Sequence, residues 1–154
     1  MIQVWRITHE RTLKTAFSGD GSSKHGGRWN SRGYRAVYVA DSLALATLEI
    51  LVHGVPYETL KQFYCIPAKI PEDLVYKVNQ NKLPTNWRKD PAPATLQKIG
   101  DQWIKENRSA VLKVPSAVIP VEFNYMINPD HPDFAEIKIG RKQRHALDVR
   151  LAKV

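Results

Sequence analysis

The sequence predicts an α+β domain, and three observations favour that class. Strand-like and helix-like segments are mixed along the chain without a regular strand–helix–strand alternation, which argues against a doubly wound sheet. The chain has 154 residues, which suits one domain that spans residues 1–154. Its composition is 43% hydrophobic, which is enough for a buried core and is not typical of a disordered chain.

The first forty residues predict two strands separated by a loop. Residues 2–7 alternate in character, with Trp5 on one face and Arg6 on the other. Residues 18–27 are rich in glycine and serine, and they predict a flexible segment that can move over a ligand. Residues 36–40 form a short run typical of a β-strand, and this run contains Tyr38.

A helix that carries a carboxylate is predicted after the second strand. Asp41 or Ser42 can cap this helix, and a glycine and a proline end it after His53. Apolar residues at helical spacing form a stripe that is expected to face the core, namely Leu45, Leu48 and Val52. At 100° per residue, Glu49 lies at the edge of that stripe rather than opposite it. We therefore expect Glu49 to be a partly desolvated carboxylate.

The rest of the chain predicts short strands and one longer helix. The predicted strands are residues 62–68, 74–78, 110–113 and 117–121. Asp90-Pro91 predicts the start of a helix that runs to about Asn107, because a capping residue followed by proline is typical of a first turn. Residues 79–90 and 124–134 are predicted loops. Residues 136–139 and 146–151 are predicted to pair as a terminal hairpin.

Composition excludes several classes of site and location. Cys65 is the single cysteine, so an internal disulfide and a cysteine-rich zinc site are excluded. The five histidines are scattered without metal-ligand spacing. No apolar run approaches the roughly 18 residues needed to cross a membrane. The N-terminal residues resemble a strand rather than a signal peptide, and a cytoplasmic location is therefore expected.

The formal net charge of +8 favours acidic partners, which include nucleic acid, an anionic ligand and an acidic protein. The basic residues are dispersed, with one mild cluster at residues 138–145. A solvated basic surface and a specific anion-binding role both stay open. A basic nucleic-acid-binding module is a remote alternative, because no helix-turn-helix, RNA-binding aromatic motif or zinc finger is evident.

Three local signals suggest chemistry without naming a reaction. Gly26-Gly27-Arg28 can bring backbone amides and a guanidinium close to a phosphate, although a glycine pair is also typical of an ordinary turn. Glu49 and His53 are four residues apart on one helix, so they can be an acid/base pair or a surface ion pair. Ser116 lacks the Gly-x-Ser-x-Gly context of a serine hydrolase. The residues alone indicate a candidate anion-binding arginine and a half-buried glutamate.

A set of motifs in order along the chain resembles the family of RES-domain toxins. The motifs are Gly26-Gly27-Arg28-Trp29-Asn30, Gly33, Val37-Tyr38-Val39-Ala40, Ala46-Thr47-Leu48-Glu49, Val114-Pro115-Ser116, the run from Asn124 to Pro132, and Leu147-Asp148-Val149-Arg150-Leu151. The family is named for an arginine, a glutamate and a serine. In this sequence those letters fall on Arg28, Glu49 and Ser116. The resemblance covers essentially the whole chain.

The resemblance implies the toxin of a bacterial type II toxin–antitoxin system. It implies a cognate antitoxin with an Xre-like helix-turn-helix part and a C-terminal part that covers the toxin's active site, so that DNA is reached only through the antitoxin. It implies an ADP-ribosyltransferase-like fold, a split mixed β-sheet with flanking helices. It also implies NAD as the substrate, cleaved at the nicotinamide–ribose bond by hydrolysis or phosphorolysis. An ADP-ribosyltransferase that modifies a host protein is the alternative.

The same resemblance assigns expected roles to individual side chains. Glu49 is expected to stabilise positive charge on the ribose, with Arg28 on the pyrophosphate and Ser116 bonded to the ribose or the amide. Tyr38 is expected to stack on nicotinamide or to pack against the ribose. The predicted substrate-binding set comprises Arg6, Arg28, Asn30, Tyr38, His53 and Ser116. No metal or cofactor is expected, because nicotinamide is already a cationic leaving group.

Overall fold

The computed structural model describes residues 1–153 as a mixed β-sheet with flanking helices, and Val154, the last residue of the predicted domain, lies outside the described residues. The strands are β1 (Ile2–His9), β2 (Val37–Ala40), β3 (Phe63–Ile70), β4 (Val75–Lys77), β5 (Val111–Pro115), β6 (Phe123–Ile127), β7 (Lys138–Ile139) and β8 (Gln143–Arg144). The α-helices are α1 (Asp20–His25), α2 (Leu43–Leu51), α3 (Tyr57–Leu60) and α4 (Ala94–Lys105). The predicted α+β class is confirmed.

The strands join in the order β4-β5-β6-β2-β1-β3-β7, with β8 also paired to β3. The pair β4–β5 is parallel, and the other recorded strand pairs are antiparallel, so the sheet is mixed. Strand β1 pairs along its whole length with β3 and only at Trp5 with β2. This order places β2, β5 and β6 side by side, although long segments separate them in sequence. Among the described residues, none of the helices has the length and apolar character to cross a bilayer.

Strand register divides the side chains between two faces of the sheet. Directly opposed residues share a face, so the pairs Trp5–Ala40 and Ala40–Asn124 define one face, which we call the front face. Val4 and Val39, each next to one of these residues in its strand, belong to the opposite, back face. The buried core of the back face includes Val4, Val37, Val39, Ala68, Ile70, Val111, Tyr125 and Ile127.

Two helices cover the front face. Helix α4 buries Leu96 and Trp103 in a cluster that also contains Trp29 and the front-face residue Met126. Helix α2 buries Leu45 and Ala46 against a second cluster, whose strand residues are Ile7, Ala40 and Cys65. The front face therefore has two apolar clusters, one under each helix.

Helix α2 begins as the sequence predicts but turns a different side to the core. The Ser42 hydroxyl accepts a hydrogen bond from the backbone N–H of Leu45 at 3.0 Å, which confirms the predicted cap. The helix ends at Leu51, two residues before the predicted end. Leu45 is buried, but Leu48 is 38% exposed and Val52 is 59% exposed, so the predicted stripe is wrong at both positions. Because nearly every position of this helix is apolar, the pattern does not determine which side faces the sheet.

Several predicted segments differ from the structure. Residues 18–27 contain helix α1 instead of a flexible loop, and the Ser22 hydroxyl ties this helix to the backbone of Ala36. Residues 117–121 form no strand, while β6 lies within a stretch predicted as a loop. The predicted terminal hairpin is wrong, because residues 146–151 form no strand and run into a 3-10 helix (Val149–Lys153). The strands β7, within residues 136–139, and β8, at residues 143–144, each pair with β3, which offers its free edge to both. Helix α4 begins at Ala94, after a cis peptide bond at Asp90–Pro91.

Helix α4 approaches the backbone of Trp29 so closely that only glycine fits at Gly100. A β-carbon at Gly100 would overlap the Trp29 carbonyl oxygen. This contact between backbones fixes the segment that carries Arg28 against α4.

We expect Gly100→Ala to lower the free energy of unfolding by about 2–3 kcal/mol, because the helix and the Trp29 backbone must separate. Gly21→Ala is the matched control, since Gly21 also lies in a helix and a β-carbon there meets no atom within 4 Å. The control is expected to be neutral or to gain up to about 1 kcal/mol. Urea unfolding of both variants measures the difference, and equal stabilities would contradict the prediction.

Candidate active site

The Glu49 carboxylate is the centre of a hydrogen-bonded cluster on the front face. Its Oε1 accepts a hydrogen bond from the Ser116 hydroxyl at 2.8 Å and another from the Asn124 amide at 2.6 Å. Glu49 lies on α2, Ser116 follows β5 and Asn124 belongs to β6. The carboxylate is half-buried, as the sequence predicts, and two donors from distant segments compensate part of its lost hydration.

Ser116 is fully buried at the start of a tight turn, and its hydroxyl orients the Glu49 carboxylate. Its hydroxyl oxygen accepts hydrogen bonds from the backbone N–H groups of Val118 at 3.1 Å and Ile119 at 3.0 Å. A hydroxyl has one proton, and here that proton is donated to Glu49. This hydroxyl already has partners within the protein. The expected contact of Ser116 with the ribose or the amide of the substrate stays a prediction.

Asn124 belongs to the cluster, although no role was expected for it from the sequence. Asn124 is the first residue of the motif that runs from Asn124 to Pro132. Only the pairing of β6 with β2 and β5 brings it to Glu49. The sequence therefore indicated Asn124 only as part of that motif and did not indicate its contact with Glu49.

Tyr38 connects the front face to the Arg28 segment. Its hydroxyl donates to the Asn30 side-chain oxygen at 2.5 Å and accepts from the Trp29 backbone N–H at 3.2 Å. Burial raises the pKa of the Tyr38 phenol, so it is neutral at physiological pH. A β-carbon at Gly27 would lie 2.6 Å from the Tyr38 hydroxyl, which explains the second glycine of the pair.

Asn30 holds the loop around Tyr38 from inside the protein. The residue is fully buried, and its amide donates to the carbonyl oxygens of Ser22 and Tyr34, both at 3.0 Å. These contacts describe a side chain that shapes the loop. Its expected contact with NAD stays a prediction.

Arg28 is half-buried and anchored by main-chain carbonyl groups. Its Nη1 donates to the carbonyl oxygens of Trp87 at 3.1 Å and Lys89 at 2.9 Å. The neighbouring Arg88 donates through Nε to the Ala117 carbonyl oxygen at 3.1 Å. The loop of residues 84–90 therefore spans from the Arg28 turn to the turn that follows Ser116. In the described part of the chain, Nε and Nη2 of Arg28 make no hydrogen bond, which leaves two donors for an anion.

The structure does not bring Arg6 and His53 into this cluster. Arg6 neighbours Trp5 in β1, so it points to the back face, where its guanidinium donates to the carbonyl oxygens of Ala16 at 3.1 Å and Tyr38 at 3.3 Å. Burial lowers the pKa of Arg6 to about 10, which leaves it charged at neutral pH. His53 is exposed in the turn beyond α2. Their expected contacts with NAD stay predictions.

Two hollows lie elsewhere on the surface. One of about 410 Å³ lies between α3 and residues 144–147, and one of about 570 Å³ lies beside His9 and Gln62. Neither is lined by Glu49, Arg28 or Tyr38. We define the candidate site by its chemistry, a fixed carboxylate and an anchored guanidinium.

Residues 3–148 match the model of a protein family described as "RES domain". The chain belongs to the RES-domain family. The family predicted from the motifs is thereby confirmed, and the match covers every candidate site residue.

Similar proteins agree with this assignment. This RES-domain protein is 40% identical over 133 residues to a protein named Toxin Res from Yersinia enterocolitica, covering 86% of this chain and 88% of the relative. It is 36% identical over 158 residues to a protein named Prs ADP-ribosylating toxin from a Sphingobium species, covering 97% and 96%. Its fold resembles the solved structure of the M. tuberculosis MbcT-MbcA toxin-antitoxin complex, with a TM-score of 0.76, 17% identity, and coverage of 98% of this chain and 86% of that chain.

We expect Tyr38→Phe to lower the free energy of unfolding by about 1–3 kcal/mol, because it leaves the buried Asn30 oxygen and the Trp29 N–H without their partner. Tyr76→Phe is the matched control. Tyr76 is 38% exposed, and no hydrogen bond of its hydroxyl is present among the described residues. Thermal unfolding compares the two variants, and the prediction fails if both keep the wild-type midpoint.

Proposed function

We propose that this RES-domain protein is the toxin of a toxin–antitoxin system and cleaves the nicotinamide–ribose bond of NAD by hydrolysis or phosphorolysis. The resulting depletion of NAD arrests growth. The observation that carries the proposal is the Glu49 carboxylate, which Ser116 and Asn124 hold in one orientation on the front face. Membership of the RES-domain family and the toxin names of its relatives support it.

The chemistry requires a fixed negative charge beside the ribose. When the bond between the ribose anomeric carbon and the pyridinium nitrogen breaks, its electrons stay on the nitrogen, and nicotinamide leaves as a neutral molecule. The ribose passes through an oxocarbenium-like state, as in glycoside cleavage, until water or phosphate adds to the same carbon. Glu49 stabilises this positive charge, and a preorganised group of this kind supplies about 3 kcal/mol or more. Neither a metal nor a cofactor is required.

Substrate binding in this proposal uses the segment that precedes β2. Arg28 binds the pyrophosphate, since its free Nε and Nη2 form a fork that suits two phosphate oxygens. The Tyr38 ring offers a face for nicotinamide or the ribose. Asn30 holds the Tyr38 hydroxyl, and the carbonyl oxygens of Trp87 and Lys89 hold Arg28.

The proposed partner is a cognate Xre-like antitoxin that covers the active site, with DNA bound only through the antitoxin. The similar M. tuberculosis structure is a complex of a toxin with an antitoxin, which supports such a partner. The net charge of +8 favours an acidic surface on it. The cytoplasm is the proposed location, because NAD and nucleoid DNA are found there.

A second candidate function has specific support. The Sphingobium relative is named as an ADP-ribosylating toxin and matches nearly the whole chain. A transferase breaks the same bond of NAD but uses a protein side chain as the acceptor. The bond cleavage assigned to Glu49 is common to both functions, so they differ only in the acceptor. A basic nucleic-acid-binding module remains a remote alternative, and steeply salt-dependent DNA binding by the isolated chain would support it.

We expect the purified chain to release nicotinamide from NAD, because the fixed carboxylate lowers the barrier to loss of a cationic leaving group. Chromatography of reactions with and without phosphate identifies the second product. ADP-ribose indicates water as the acceptor, and ADP-ribose-1″-phosphate indicates phosphate. Release of nicotinamide only after lysate proteins are added, together with ADP-ribose attached to those proteins, would favour the transferase instead. Absence of nicotinamide release under all of these conditions would overturn the enzyme proposal.

We expect Glu49→Gln to reduce the rate of nicotinamide release roughly 10²- to 10³-fold with little loss of stability, because the variant keeps the shape of the side chain but removes its charge. Glu58→Gln is the matched control, an exposed glutamate on α3 that pairs with Lys61 at 3.1 Å. Steady-state kinetics and thermal unfolding are measured on both. Wild-type kcat in the Glu49 variant would remove this carboxylate from the mechanism.

A further inference from the structure

We propose that Asn124 is a positioning residue for Glu49, and that it turns the second carboxylate oxygen, Oε2, toward the reacting ribose. This inference rests on the proposed NAD cleavage and adds a residue to which no role has been assigned. According to this inference, catalysis depends on the orientation of the Glu49 carboxylate and not on its charge alone.

Both anchors of the carboxylate lie on the same oxygen. Oε1 accepts from Asn124 at 2.6 Å and from Ser116 at 2.8 Å, while no hydrogen bond to Oε2 is formed by the residues that the structure describes. One oxygen is therefore committed to the protein, and the other keeps its lone pairs for a substrate hydroxyl or a developing cation. A carboxylate held by one donor on each oxygen would offer the substrate much less.

Asn124 is itself held rigidly. It lies in β6, where its backbone is paired with Ala40 of β2 on one side and with Val114 of β5 on the other. Its amide group therefore projects from a strand with neighbours on both edges. A donor mounted in this way restricts the glutamate rotamer more than a donor on a mobile loop would.

The chemical type of the donor also matters. The Asn124 amide N–H group can only donate, and the Glu49 oxygen accepts its short hydrogen bond of 2.6 Å. An aspartate at the same position has nearly the same shape but presents a second carboxylate to Glu49. That change removes the donor and adds repulsion between two carboxylates.

Loss of this anchor is expected to act on turnover more than on binding. Glu49 is a flexible side chain near the end of α2, and without Asn124 only the Ser116 hydroxyl restrains it. Misorientation of the charge weakens its interaction with the oxocarbenium-like state, whereas the contacts of Arg28 and Tyr38 with NAD are unchanged. We therefore expect kcat to fall while KM stays nearly constant.

The kinetic test compares Asn124→Ala and Asn124→Asp with the same changes at Asn128. Asn128 follows β6 directly, is also buried, and bonds to Asn107 and Asp130 instead of Glu49. We expect kcat to fall roughly tenfold in Asn124→Ala and roughly a hundredfold or more in Asn124→Asp, with KM for NAD within about threefold. The Asn128 variants are expected to lose stability but to keep the kcat of the folded protein.

A double-mutant cycle with Ser116→Ala tests the shared oxygen. Because both donors restrain one carboxylate, the combined loss in kcat is expected to differ from the product of the single losses. Unchanged kcat in Asn124→Ala, a rise in KM alone, or an equal loss of kcat in the Asn128 variants would each overturn the inference.

A crystal structure of Asn124→Ala gives a readout that does not depend on the reaction. We expect the Glu49 side chain to occupy more than one rotamer in Asn124→Ala and to keep its orientation in Asn128→Ala. An unmoved carboxylate in Asn124→Ala would overturn the positioning role. A wild-type chain that cleaves no NAD would overturn the proposed function instead, so the two failures are distinguishable.

Discussion

Two hydrogen bonds to a single oxygen of Glu49 connect the main parts of this molecule. A half-buried carboxylate is costly unless donors replace its water, and here the donors come from the turn after β5 and from β6. Those donors meet α2 only because β6 lies between β2 and β5 in the sheet. The apolar contact of Leu45 with the front face then sets the position of the helix. Sheet order, helix docking and the charged group therefore depend on one another.

The local features of this arrangement could be predicted from the sequence, and the long-range ones could not. The Ser42 cap follows from residue type, which acts within a few residues. The half-burial of Glu49 was predicted from a stripe that is wrong at Leu48 and Val52, so helical spacing alone does not account for it. The donors are 67 and 75 residues away from Glu49, and neither propensity nor periodicity carries information over that distance. Residues 117–121 show the same limit, because their apolar character suited a strand while the Ser116 turn required a bend.

The two arginines show why alternation along a strand is insufficient. Alternation correctly placed Arg6 and Trp5 on different faces of the sheet. It could not show which of the two faces contains the Glu49 cluster. Only the register of β1 with β2 and of β2 with β6 decides that Trp5 shares a face with Asn124. Arg28 was the stronger candidate because a glycine pair precedes it, and Gly27 indeed leaves room for Tyr38. The glycine pair thus indicated a close backbone approach that the structure contains, whereas the charge of an arginine does not indicate its position.

The anchors of Arg28 are the main-chain oxygens of Trp87 and Lys89, and every amino acid supplies such an oxygen. Side-chain substitutions within residues 84–90 are therefore expected to leave this contact with Arg28 intact. The contact with Arg28 therefore depends on the length and path of the loop, whereas the hydrogen bond to Ala117 depends on the Arg88 side chain. A search for the site by residue identity alone would pass over this loop.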